Sequence, residues 1–429
     1  MAPPPSSPAR PSRSSAVTSW PDSPDRPSSP RSLPLNPPPL LTAAFARLIS
    51  GHFLQALGYS SMLTLPLYLG HLGASRTEIG TIMAVASIGG LALRPAAGWA
   101  LDAIGRRPVV IAGTAFLAAG MALIGLVDRL GPLIYLSRLL VGIGAGTLFT
   151  AYFTFAADLI PVARRTEGIA LFGISGVLPL AVNGLIERFD LPAAELRGLF
   201  PLIGLLVLTS LWPVWRLAEP RADTTADPIP ALPRPRAWTT LTAGPLWPVW
   251  GATTVFSGLV AVFMAFATVT AARHGASEPA DLWFAYGGGA VLVRLFGARL
   301  PDRIGPHNMV APALGVYATG CLLMAGAEGD AAFVIAGLCA GIGHGYCFPV
   351  LTGQVVDRSP AAVRGVALAG FTALWEISAL ALTPLFGAVA DAYDDATMFG
   401  LAAVTAAAGL ALWAVGEHGS SHKRPSATP

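Results

Sequence analysis

The residues able to do chemistry in this chain are few, and most lie where charge is expensive. Glu376 stands 16 residues after Pro360 and 15 before Asp391, so along a helix rising about 1.5 Å per residue it is roughly 23 Å from either end of an apolar stretch. No other carboxylate lies so deep, and an isolated carboxylate in an apolar medium suits a group that carries a proton or grips a cation. Arg138 lies ten residues from Asp128, while His344 lies 14 from Asp330 and 13 from Asp357. Glu376, Arg138 and His344 are therefore candidates for proton coupling or substrate binding, with helix packing as the competing role. His52, Gln55 and Tyr59 recur at i, i+3 and i+7 on one helical face, a polar stripe suited to a cavity wall or to interhelical hydrogen bonds. Trp375, beside Glu376, faces either cavity or lipid.

The elements that must position them are membrane helices. Hydrophobic residues make up 53% of the 429 and charged ones 12%, too oily for a soluble chain, where about 45–50% and about 25% are usual. Twelve apolar segments follow one another, at about 41–70, 76–101, 108–128, 131–158, 166–187, 198–218, 246–272, 280–300, 308–327, 331–356, 361–388 and 396–416. Each is long enough, at about 20 residues or more, to cross a hydrocarbon core of roughly 30 Å. Alternating strand-like segments are absent, which argues against a β-barrel.

The expected fold is all-α and polytopic, with twelve transmembrane helices in two pseudo-symmetric six-helix bundles, 40–218 and 246–416. A Pro- and charge-rich linker, 219–245, joins them. Residues 1–39 hold 13 of the 38 prolines and read as a disordered tail, and residues 417–429 form a second tail. Arginines concentrate on one set of connections, with Arg106, Arg107, Arg164, Arg165, Arg216, Arg221, Arg234, Arg236, Arg303, Arg358 and Arg364 on the side of Lys423 and Arg424. By the positive-inside rule both termini are cytoplasmic, in the cell's inner (plasma) membrane.

Several classes are excluded. The charge of +3 is scattered, so nucleic acid is not a partner. Lys423 is the single lysine and no phosphate-binding loop occurs, so energy comes from an ion gradient or from the substrate's own. Cys321, Cys339 and Cys347 have no metal-ligand spacing and read as packing residues, leaving no expected metal or cofactor.

The two halves repeat. In "LRPAAGWALDAIGRR", Arg94 precedes Asp102 by eight residues and Gly105 follows by three; "VRLFGARLPDRIG" places Arg294, Asp302 and Gly305 at the same spacing. "GIGAG" from Gly142 is answered by "GIGHG" from Gly341, and Asp158 with Arg165 by Asp357 with Arg364. Residues present in both halves, Arg94 and Arg294 included, read as scaffold. Polar residues present in one half only, such as Glu376, Arg138, His344 and His52, read as functional.

On these residues the chain resembles the major facilitator superfamily of secondary transporters, from about 41 to 416. Gly98, Asp102, Gly105, Arg106 and Arg107 match its G-x-x-x-D-x-x-G-R-R loop, and Arg138, Gly142 and Gly144 match its R-x-x-x-G-x-G pattern. The second loop copy departs from the pattern at Ala298, Pro306 and His307, and the G-P-x-x-G-G signature of drug–proton antiporters is not matched by Gly176, Pro179 and Gly184.

The resemblance implies a conformational latch. Asp102 would accept from free N–H groups at the start of the eleventh segment, near Pro360 to Arg364, a placement worth about 0.3–1 kcal/mol. Arg106 or Arg107 would pair with Asp158, Gly98 would allow close helix approach, and Asp302 with Arg303 would form a weaker second copy. The function implied is alternating-access transport of a small molecule by a monomer in the lipid bilayer, coupled to protons. Export is the first reading and uptake the second. The rival from another class is a membrane enzyme or receptor on the same scaffold; the latch argues for transport and against an enzyme.

Overall fold

The computed structural model describes residues 39–161, 164–189, 191–219, 241–297, 300–360 and 363–421. The expected N-terminal tail, most of the linker, and Lys423 with Arg424 lie outside the described residues, as does the side chain of Asp302. Helices fill all twelve apolar stretches, and no strand occurs among the described residues.

The first stretch is broken: α1 (Ala43–Ser60) ends in a 3₁₀ turn, Ser61–Leu63, before α2 (Leu65–His71). The hydroxyls of Ser60, Ser61 and Thr64 donate to the carbonyls of Leu57, Gly58 and Ser61, competing with the helical ladder at the point where Pro66 withholds an N–H. Next, α3 (Arg76–Ala92) starts at a capping box of Ser75 and Glu78 and gives way at Leu93 to α4 (Arg94–Ala103), where Pro95 again lacks the donor. The first half continues with α5 (Arg106–Ile124), α6 (Pro132–Leu159), α7 (Arg165–Glu187), α8 (Ala193–Thr209) and α9 (Leu211–Trp215).

The second half holds α10 (Trp247–Arg273), α11 (Asp281–Phe296), α12 (Leu300–Ile304), α13 (Pro306–Ala325), α14 (Asp330–Asp357), α15 (Arg364–Ala392) and α16 (Asp395–Ser421). Among the described residues nine helical stretches are long and apolar enough to cross a membrane: α3 with α4, α5, α6, α8 with α9, α10, α13, α14, α15 and α16. Large apolar side chains such as Leu202, Leu205, Phe296 and Val404 are exposed around them, as lipid-facing positions are.

From Pro39 onward the described residues form one compact unit. The sequence repeat is also a repeat of contacts: α6 packs on α3 and α5, as α14 packs on α11 and α13. Glycines set these contacts. A Cβ at Gly142 would overlap the Ala86 carbonyl oxygen and one at Gly146 would come 2.7 Å from Gly90 Cα, both on α3; Gly144 presses instead on Leu117 of α5. Gly341 against Tyr286, Gly345 against Val293 and Gly343 against Tyr317 reproduce this, because residues four apart share a helix face and the one between turns away. Across the seam between halves, α3 lies on α15 and α7 on α11. Glu219 and Leu241 flank the undescribed part of the linker. The first is held at the start of α5, while Leu241 accepts from Trp250 Nε1 at 2.8 Å and lies against Gly370.

Candidate functional site

At the middle of the seam, Arg94 Nη2 donates to Glu376 Oε1 at 3.2 Å, joining the first turn of α4 to α15. The carboxylate that the sequence leaves isolated thus has a cation beside it, and Arg94, read as scaffold, belongs to the site. Two features of α3 and α4 bring it there. Pro95 breaks the helix next to Arg94, and Gly90, one turn earlier, leaves room for the carboxyl: its absent Cβ would stand 3.1 Å from Glu376 Oε1. Arg94 Nε is buried without a hydrogen-bond partner, so Glu376 occupies half of the fork.

Arg138 is buried at 3% exposure. Its Nε and Nη2 donate to the carbonyls of Ile82 (3.3 Å) and Met83 (3.0 Å) on α3, and its Nη1 is buried with no partner. Tyr59, 41% exposed, lies within electrostatic reach of both Arg138 and Glu376. Arg294, the repeat counterpart of Arg94, also crosses the seam, but Nη1 meets a backbone acceptor, Gly173 O, at 2.5 Å.

Trp375, next to Glu376 in the chain, belongs to an aromatic cluster of the second half. Trp375 packs edge-on to Phe256 and Phe348 at 5.3 and 5.6 Å and approaches His344 at 6.2 Å, which places it inside the bundle and away from lipid. His344 Nδ1 is 2.5 Å from the Tyr286 hydroxyl. His52 sits elsewhere, within the first half, stacked on Phe172 at 4.4 Å with Nδ1 2.7 Å from Ser175 Oγ. Ser175 donates to Phe172 O, so its oxygen accepts from His52 Nδ1–H. Gln55 is 6% exposed and makes no hydrogen bond among the described residues. The stripe of His52, Gln55 and Tyr59 therefore divides: His52 packs within the first half, while Tyr59 lies within electrostatic reach of the central groups.

The loop after α4 is built on one backbone angle. Gly105 has φ +100 and Gly305 in the second copy φ +91, a region that side chains other than glycine avoid. Arg106 Nε donates to Asp158 Oδ2 at 3.0 Å and Arg107 stacks over Trp215. The carboxylate on the free N–H groups of a helix start is Glu219, which accepts from the backbone of Arg106 (3.0 Å) and Arg107 (2.6 Å) at α5, a residue that sequence reading passed over as linker. Asp102 is exposed and makes no hydrogen bond or ion pair among the described residues; residues 361 and 362, in the segment expected to meet it just before α15, are undescribed. Arg303 is exposed. Gly98 corrects an expectation: nothing lies within 4 Å of where its Cβ would stand, so it is no close-approach site in this conformation.

The halves are instead fastened at the opposite end. Asp391 of α15 accepts from the backbone N–H groups of Arg76 (2.8 Å) and Thr77 (2.7 Å), capping α3 from across the seam. Arg76 grips Asp395 with Nε and Nη2 at 3.0 and 2.9 Å, and Arg188 reaches Asp281 at 2.6 Å. From there the inter-half contacts run inward to Glu376 and Gly173; apart from Arg94, the main packing partners of α4, and α13 for α12, belong to their own half. This conformation is joined at the end of Arg76, and among the described residues no hydrogen bond or ion pair joins the halves at the end of Asp102.

Comparison with known proteins agrees with this architecture. The sequence model of the Major Facilitator Superfamily matches residues 48–381 and 272–429. An uncharacterised MFS-type transporter of Salmonella typhimurium is 27% identical over 366 residues, covering 82% of this chain and 90% of that protein. Among solved structures, a POT family transporter in complex with a thioalcohol-conjugated peptide superposes with a TM-score of 0.73 at 13% identity, covering 88% of this chain and 96% of that one. A nucleoside transporter gives 0.72 at 14%, covering 87% and 99%.

Proposed function

Since the chain belongs to the major facilitator superfamily, we propose that it moves a small molecule across the membrane by alternating access coupled to protons, with Glu376 as the proton carrier and Arg94 as its charge partner. It is an integral membrane protein and a transporter, and the observation that carries the finer reading is the Arg94–Glu376 bond at 3.2 Å. An ion pair at this depth spans the moving seam, so protonating Glu376 removes one of the ties between the halves and links proton binding to rocking. The arginine bias supports cytoplasmic termini in the plasma membrane, and the site is complete within one chain, which supports a working monomer.

In this reading the direction follows from the cargo's charge. A cation competes with the proton for Glu376, which gives exchange and hence export; an anion competes with Glu376 for Arg94, which gives joint movement and hence uptake. His344, Trp375, Tyr59 and Arg138 surround or polarise the Arg94–Glu376 site, while the loop carrying Asp102, Arg106 and Arg107 fastens the halves when the Asp102 end closes.

The test is Glu376→Gln, which keeps shape and removes titration. Infrared difference spectra of the purified protein across a pH step should show the carbonyl band of a neutral carboxylic acid in the wild type and lose it in the variant. In proteoliposomes, accumulation driven by a pH gradient should vanish while exchange at equal pH survives. Superimposable spectra from the two proteins would defeat the assignment of the proton to Glu376.

A further inference from the structure

The charged groups of the interior do not balance. Among the described residues away from the helix ends, three guanidinium groups, of Arg94, Arg138 and Arg294, stand against one carboxylate, Glu376, which only Arg94 contacts. Cations in so apolar a setting are costly without anionic partners, and backbone carbonyls answer only part of the need. Two donors in this group are buried and unpartnered, Arg94 Nε and Arg138 Nη1.

Arg76 provides the comparison. It holds Asp395 with both Nε and Nη2, at 3.0 and 2.9 Å, a filled fork. Arg94 meets Glu376 through Nη2 alone, at 3.2 Å, with the adjacent Nε empty. A guanidinium edge matches the two oxygens of a carboxylate, so the central fork has an unfilled place of known shape. Trp375, next to Glu376 in the chain, and Phe348 are half-buried and pack on each other, with Phe256 fully buried behind Trp375, an apolar cluster adjoining Glu376.

We propose that the cargo is an organic anion, an aromatic or otherwise apolar body bearing a carboxylate, which takes the Arg94 fork when Glu376 is protonated and so travels together with the proton. This rests on the proton-carrier reading of Glu376 above. The balance is simple: one proton adds to a Glu376 oxygen, Arg94 is released from it, and the substrate carboxylate replaces the lost negative charge. Net charge at the site is unchanged, so a monocarboxylate moves with its proton electroneutrally. The groups facing Glu376 fit this account: Arg94 from α4, Ser87 from α3 and Tyr59 from α1, with Arg138 of α6 behind Tyr59 and His344 of α14 beyond Trp375. Arg138 adds a second positive charge that draws an anion inward. Export by competition of a cationic cargo with the proton at Glu376, the alternative given above, is opposed by this charge balance.

The experiment uses the full-length purified protein and matched aromatic probes: phenylacetate, indole-3-acetate and benzoate, with their amides and the corresponding amines. Carboxylates should raise the melting temperature, the more so as pH falls from 8 to 6, whereas amides and amines should not. In proteoliposomes a pH gradient should drive carboxylate uptake, and an imposed potassium diffusion potential should leave the rate unchanged. Arg94→Lys, which keeps charge and loses the fork, should weaken carboxylate binding about tenfold or more. If that variant does not fold, the double variant Arg94→Gln with Glu376→Gln, neutral at both positions, should bind carboxylates at least tenfold more weakly with no remaining pH dependence. Stabilisation by the amines, potential-driven uptake, or no effect of any carboxylate overturns the proposal. If carboxylates bind but Glu376→Gln keeps both its infrared band and its pH dependence, the proton-carrier reading fails instead.

Discussion

Arg94 and Arg76 each hold a carboxylate of the opposite half, and the geometry of the grip separates a working contact from a fastening. The depth of Glu376 was legible in the sequence because a carboxylate interrupts an apolar run; its partner was not. In a parallel duplication, residues repeated near the seam do not meet their own copies but the other half's counterpart helices, so Arg94 finds Glu376 on α15 while Arg294 finds Gly173 O on α7. Repetition therefore marked a position at the seam, not an idle scaffold. Glu219 escaped notice for a different reason: it lies at the edge of a polar linker and acts on a helix start more than a hundred residues earlier in the chain. Glu219→Gln leaves one oxygen where two accept, and should lower stability by about 1–2 kcal/mol, read as a fall in melting temperature. An unchanged melting curve would mean that α5 does not depend on this cap.

The helices themselves were readable from apolar length, but their interruptions were not, since Ser61–Leu63 and Leu93 lie inside runs whose average hydropathy stays high. The glycine series was readable as close packing because its spacing recurs in both halves; Gly98 was read in the same way, yet it faces open space. These two classes should part on substitution. Gly142→Ala forces a methyl into the Ala86 carbonyl and should cost about 1–3 kcal/mol or more, whereas Gly98→Ala should leave the melting temperature equal or slightly higher. Equal melting of both variants would show that α3 can shift away from α6 at no cost.

At the scale of the whole molecule, one amino-acid sequence must support two facing states of similar free energy, so no sequence pattern announces which one is adopted. The loop motif at Asp102 carries the expectation of a latch at that end, and this conformation is fastened at the other end, through Asp391, Asp395 and Asp281. The signals there were present but ordinary: a capping box that starts α3 and two aspartates flanking the turn after α15. Asp395→Asn leaves the buried Arg76 guanidinium without its counter-charge, a loss of about 3–5 kcal/mol in this conformation alone. The population should move toward the state open at the Arg76 end, read as several-fold faster labelling of a cysteine placed at Thr81 by an impermeant thiol reagent. Unaltered labelling would show that this ion pair does not hold the seam. The seating of Glu219 on the first half and of Leu241 on the second carries a mechanical consequence. The stretch between them, residues 220 to 240, can span up to about 70 Å when extended, more than twice the roughly 30 Å thickness of the hydrocarbon core. A stretch of that length sets no limit on how far the two seats part when the seam opens. Its thermodynamic role is that of a tether that keeps the halves at high effective concentration, so the work of switching falls entirely on noncovalent contacts and on what the central site binds.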